Sequence, residues 1–159
     1  MSKIKLYLDT NMVHDLFVNQ ANALKKGIEH NKPKKFTFLL ENQEKFEFVT
    51  SFLTKAEIAR ELVSAHNIRP DIIEQFWTDF VSILKQKYID KFEFDEQIVD
   101  IVYKAKMKLR TMVNFFHLFI AIREQAYFVS GDKPIINKAK EIGLYDKLLT
   151  YIELQKLAD

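Results

Sequence analysis

A chain of 159 residues, 48% hydrophobic and 29% charged with only 3 Gly and 3 Pro, has the make-up of one folded domain rather than a disordered or fibrous chain. It holds no Cys, which excludes disulfides, thiolate zinc sites, iron–sulfur clusters and cysteine nucleophiles together, so any metal must sit on oxygen or histidine. With 24 Lys plus Arg against 22 Asp plus Glu, overall charge argues neither for nor against a nucleic-acid partner, and the local distribution has to decide.

Ile4 to Leu8 alternates apolar and polar residues and runs into Asp9, which predicts a strand with an acid at its C-terminal end. A helix follows from Asn11 through about Lys26. Residues 25–35 hold five lysines (Lys25, Lys26, Lys32, Lys34 and Lys35) with Gly27 and Pro33, and they predict a solvated loop. Residues 36–40 and 45–50 flank the polar stretch 41–44, which predicts a hairpin. Ser51 or Thr54 can cap a helix through Glu57, Ile58, Glu61, Leu62 and Ala65, and Pro70 suits an early position in the next, through Ile73, Trp77, Phe80 and Leu84. Asp95 can cap a helix through Ile98, Ile101, Val102 and Ala105, and a buried helix is predicted from Thr111 to about Gln125. Its apolar run, Met112 to Ile122, is roughly half of the ~20 residues a membrane span needs, so no membrane partner is expected. Tyr127 to Ser130 reads as a buried strand closed by Gly131-Asp132. Ile135 to Ile142 is helical, Gly143 ends it, and Leu148 to Tyr151 forms a last strand before a tail helix.

Strands at both ends of a mostly helical chain predict an α/β fold with a central parallel sheet covered by helices on both faces, as one domain over residues 1–159. Ligands of such sheets bind beyond the carboxyl ends of the strands, the edge where Asp9 and Asp132 fall. Met1-Ser2-Lys3 leads straight into a strand without the pattern of a signal peptide, so a cytoplasmic location is expected.

Four strings then stand in order: Leu8-Asp9-Thr10-Asn11; Thr50-Ser51-Phe52-Leu53-Thr54-Lys55-Ala56-Glu57-Ile58; Asn114-Phe115-Phe116-His117-Leu118; and Val129-Ser130-Gly131-Asp132-Lys133. Hard cations such as Mg²⁺ and Mn²⁺ prefer carboxylate and water oxygens, so acids gathered from such strings suit them. The order and spacing resemble the PIN-domain ribonucleases across nearly the whole chain. In that family an Asp ends the first strand, a Glu follows on a helix, an Asp opens a buried helix, and another Asp follows the next strand. The resemblance implies a PIN-like fold and a catalytic set of Asp9, Glu57, Asn114 and Asp132. Of these, Asp9, Glu57 and Asp132 would hold Mg²⁺ or Mn²⁺, with Thr10, Asn11 and Ser130 hydrogen-bonding the carboxylates or the phosphate. Asn114 stands where the family usually has Asp, which removes a negative charge and makes a second metal ion harder to hold. The acid that many relatives carry shortly after the last Asp is missing as well, because Lys133-Pro134-Ile135 occupies that stretch.

Each residue also has a plainer reading. Asp9 can simply cap a helix, Asp132 suits a turn, Asn114 can be a capping or buried amide, and Glu61 shares a helix face with Glu57. His117 reads as a hydrogen-bonded core histidine, and Phe115, Phe116 and Phe119 as core packing. Lys104, Lys106, Lys108 and Arg110 read singly as a solvated helix end and together as RNA-phosphate contacts, as do the lysines of residues 25–35. The expected function is a metal-dependent endoribonuclease acting on RNA, and the resemblance further suggests the toxin of a toxin–antitoxin pair, with an antitoxin partner and a homodimer. The rival expectation, kept open by Asn114, is a PIN-fold module that binds RNA or protein and has lost catalysis.

Overall fold

Alternate residues of the central strands are buried in two different cores, and that alternation sets the architecture. The structure, a computed structural model, describes residues 2–93, 95–106 and 109–159, with only the backbone of 109–110. Five strands, β1 (Ile4–Leu8), β2 (Phe46–Ser51), β3 (Lys87–Ile89), β4 (Tyr127–Val129) and β5 (Leu148–Leu149), form one all-parallel sheet in the order β3-β2-β1-β4-β5. Among the described residues the helices are α1 (His14–Lys26), α2 (Lys34–Glu41), α3 (Phe52–Ser64), α4 (Pro70–Ile83), α5 (Glu96–Ala105), α6 (Leu109–Arg123), α7 (Lys133–Glu141) and α8 (Tyr151–Ala158). A 3-10 turn, Thr10–Met12, joins β1 to α1.

Leu6, Leu8, Phe46, Phe48 and Val129 point into one core, with Phe17 of α1, Leu39 of α2, Leu62 of α3, Phe80 of α4 and Leu154 of α8. Their neighbours Tyr7, Val49 and Phe128 point into the other, against Leu118 of α6, Ile136 of α7 and Ala105 of α5. Helices therefore cover both faces of the sheet, as the mostly helical spacing between strands predicts. Among the described residues no helix is long and apolar enough to cross a membrane.

The predicted hairpin is not formed. Residues 36–40 belong to α2, and β2 pairs in parallel with β1, Leu6 opposite Phe48. Phe36, Leu39 and Leu40 recur at i, i+3 and i+4, a helical spacing, and Phe36 and Leu39 are the buried pair. A parallel neighbour of β1 cannot be reached by a tight turn, which the polar stretch alone could not reveal. The solvated loop is accordingly shorter than predicted, because Lys34 and Lys35 open α2 and Lys25 and Lys26 close α1. The sequence reading also omitted β3, an edge strand whose Lys87 and Tyr88 are exposed and which therefore lacks an apolar signature.

Candidate functional site

In the strand order, β2 and β3 lie on one side of β1 and β4 and β5 on the other, so the chain reverses direction across the sheet at the β1/β4 boundary. The crevice at the carboxyl ends of such a pair is where open parallel sheets bind ligands. Asp9 leaves β1 there, and Ser130-Gly131-Asp132 leaves β4.

The two strand ends are stitched together by short polar side chains. Asp9 is 4% exposed; its Oδ1 accepts the Thr10 N–H at 2.8 Å, and its Oδ2 accepts the Ser130 hydroxyl at 2.7 Å and the Asn11 amide at 3.2 Å. Asn11 also receives the Gly131 N–H on its Oδ1 at 2.9 Å, and Ser130 Oγ accepts the Asp132 N–H at 2.9 Å. Thr10, Asn11 and Ser130, expected as supporting partners, thus touch the acids directly. Asp9 has its carboxyl pushed above the ordinary range by burial, drawn back by His117, Ser130 and Thr10, and raised again by nearby Glu57.

Ser51 caps α3, accepting the Leu53 N–H at 3.2 Å, and that start sets the position of Glu57 in the helix. Glu57 Oε1 accepts the Thr10 hydroxyl at 3.1 Å and the His117 Nε2–H. Glu61, the weaker candidate on the same face, instead lies 3.9 Å from His14 Nε2. Asp132 caps α7, accepting the Ile135 N–H at 3.4 Å, and its Oδ2 accepts the Asn114 amide at 3.4 Å. Asn114 does not open its helix. α6 begins at Leu109, so Asn114 sits more than a turn inside it, three residues before His117 on the same face.

His117 is fully buried and hydrogen-bonded, in keeping with its reading as a core histidine, but it also ties the core to the acids. Its Nε2 faces Glu57 Oε1 and lies 3.9 Å from Asp9 Oδ1. Carboxylate oxygens only accept, so the ring proton belongs on Nε2, and Nδ1 accepts from the Tyr7 hydroxyl at 2.6 Å. Tyr7 in turn meets Ser51 Oγ at 2.7 Å. Burial pushes the Tyr7 hydroxyl well above its ordinary pKa, so it stays protonated and able to donate. Sequence reasoning missed Tyr7, whose one signal is a phenol in the middle of a strand buried on both faces.

A cleft of about 450 Å³ opens over these residues. It is lined by the carboxylates of Asp9, Asp15, Glu57 and Asp132, with Thr10, Asn11, Asn114 and His14, and with Lys35 as its lysine. A depression of similar size between α1 and α4, about 490 Å³, has Leu24, Ile28 and Phe76 in its walls and lacks that concentration of acids. Of the expected RNA contacts, Lys104 lies in the last turn of α5 and Lys106 caps it, exposed. Lys108 lies outside the described residues, and Arg110 is described only as backbone of α6.

Among the described residues no group of three or more His, Asp or Glu is arranged to hold a metal ion as the side chains stand. The acids of the lining nevertheless have the chemistry of a hard-cation site, since Asp9, Asp15, Glu57 and Asp132 offer carboxylate oxygens, with His14 and Lys35 also in the wall. Among the described residues, the bonds to Glu57 from Thr10 and His117 both fall on Oε1. Searches against known protein families and curated proteins found no match to this chain.

Proposed function

We propose that the chain is a metal-dependent endoribonuclease of PIN type, hydrolysing phosphodiester bonds of RNA in the acidic cleft. The observation that carries this reading is the meeting of Asp9, Glu57 and Asp132, from β1, α3 and the end of β4, in one cleft at the β1/β4 boundary. Asp9, Glu57 and Asp132 would hold Mg²⁺ or Mn²⁺. When bound, such an ion supplies charge neutralisation at the phosphate and a water of lowered pKa.

The chain's own residues fix the donors. Three hydrogen bonds orient Asp9, and Thr10 and His117 hold Oε1 of Glu57 so that its other oxygen can turn to a ligand. Asn114 pins Asp132 Oδ2 by donation and contributes a neutral carbonyl rather than a charge. Lys35, on the cleft wall, would pair with an RNA phosphate. On this reading the protein would act in the cytoplasm as the toxin of a toxin–antitoxin pair, restrained by an antitoxin and assembled as a homodimer, as the resemblance implies.

The test is cleavage of a mixed single-stranded RNA in Mn²⁺, Mg²⁺ or EDTA. In a partly dehydrated cleft a fourth carboxylate strengthens attraction for a divalent cation, where an amide offers only a dipole. Asn114→Asp is therefore expected to raise metal-dependent cleavage roughly tenfold or more, the order that changes around a bound metal produce. Adding Asp9→Asn to it should abolish the gain. The second reading, a PIN-fold module that binds RNA or protein without cutting, is favoured by the amide at position 114, and it moves ahead if none of these proteins cleaves.

A further inference from the structure

Beside the acidic cleft, and sharing Asn114 and Asp132 with it, lies a second pocket of about 280 Å³ with a different lining. Its walls include Ala105, Phe115, Pro134 and Ile135, and its cations are Lys106 and Lys138. Among the described residues it has one carboxylate, Asp132, against two ammonium groups, the reverse of the balance next door. Resting on the reading of the cleft as a nuclease site, we infer that this pocket receives the base of the nucleotide adjoining the cleavage point of a single RNA strand, with Lys106 and Lys138 on its flanking phosphates.

Three observations carry the inference. The first is continuity, since a strand leaving the cleft across Asn114 and Asp132 enters this pocket directly. The second is chemistry: an apolar wall that also carries cations matches a ligand that joins a flat ring with apolar faces to an anion, which a nucleotide does and a free phosphate or an aliphatic chain does not. The volume, about 280 Å³, falls just below the usual range of ligand pockets, which run from about 300 Å³, and suits one such group rather than a folded element of a partner. The third is electrostatic need. Carboxylates at the cleavage point repel the phosphates on either side, so a bound strand requires cations just beyond them, and Lys106 and Lys138 stand there. Among the described residues, Lys138 lies 3.6 Å from Glu141 one turn along α7, a spacing worth little at a surface, and Lys106 is exposed.

The experiment measures binding in EDTA, apart from cleavage. An oligouridylate hexamer is titrated against the full chain, followed by a set in which each position in turn is made abasic, with the Ile135 methyl groups watched by NMR. Loss of the base at one position is expected to weaken binding about tenfold, the order of a stacking contact, and to abolish the Ile135 shift. Lys106→Gln combined with Lys138→Gln should lower the slope of log affinity against log salt by about 1.4, at roughly 0.7 for each lost single-strand phosphate contact. Equal binding of intact and abasic strands, no binding of either, or an unchanged salt slope would overturn the inference. Cleavage by Asn114→Asp with base-independent binding would remove the pocket and leave the nuclease. Base-dependent binding with no cleavage by any variant would remove the nuclease and leave the pocket.

Discussion

Asp9 is a buried carboxylate whose neighbours are mostly neutral donors, and its folded-state pKa lies above its ordinary value of 3.8 because burial disfavours the charge. Between that ordinary value and the folded one, the native state binds more protons than the unfolded chain, so this residue's contribution to stability is lost as pH rises through the folded pKa. Asp71, paired with Arg69, and Glu153, held by the Thr150 N–H, are shifted down instead, and their contributions are lost as pH falls. Comparison with Asp9→Asn cancels those opposing groups. In EDTA, urea unfolding followed from about pH 7 down to the ordinary carboxylate value should show the parent gaining stability relative to Asp9→Asn as pH falls. A constant difference would mean that burial does not perturb Asp9. At this scale the acids were legible in the sequence because each closes a strand or follows a capped helix start. The Tyr7–His117–Glu57 chain was not, because 110 residues separate Tyr7 from His117 and only the packing of α6 on the sheet joins them.

Among the elements, α8 offers the cleanest separation of stability from function. It is closed by a capping box in which Thr150 Oγ1 accepts the Glu153 N–H at 3.3 Å and Glu153 Oε2 accepts the Thr150 N–H at 2.7 Å. Thr150→Ala is expected to cost about 1 kcal/mol in urea unfolding while leaving metal-dependent cleavage unchanged. A matching fall in cleavage would show that α8 reaches the site. Helices with a local start signal and an apolar stripe, such as α3 after its cap Ser51 and α4 opening on Pro70, were readable because both signals are local. α2 and β3 were not, for two different reasons. Phe36, Phe38 and Leu40 satisfy strand alternation while Phe36, Leu39 and Leu40 satisfy helical spacing, and only the parallel pairing of β2 with β1 decides between them. β3 sits at the sheet edge with exposed side chains, so it owes its extended form to pairing with Val49, Thr50 and Ser51 rather than to its own composition.

For the molecule as a whole, the strand order β3-β2-β1-β4-β5 places the point where the chain turns back across the parallel sheet between β1 and β4, and the two cores fix those strands from opposite faces. The acids at that boundary are therefore held by a rigid scaffold, although Asp9, Glu57 and Asp132 come from distant parts of the chain. Such a scaffold brings like charges together at an electrostatic cost, which a divalent cation would relieve. Calorimetric titration of Mn²⁺ into the metal-free protein and into Asp9→Asn tests that account most directly. A saturable binding event in the parent, weakened roughly tenfold or more in Asp9→Asn, is the predicted result. Equal binding by the two proteins, or no binding by the parent, would contradict it.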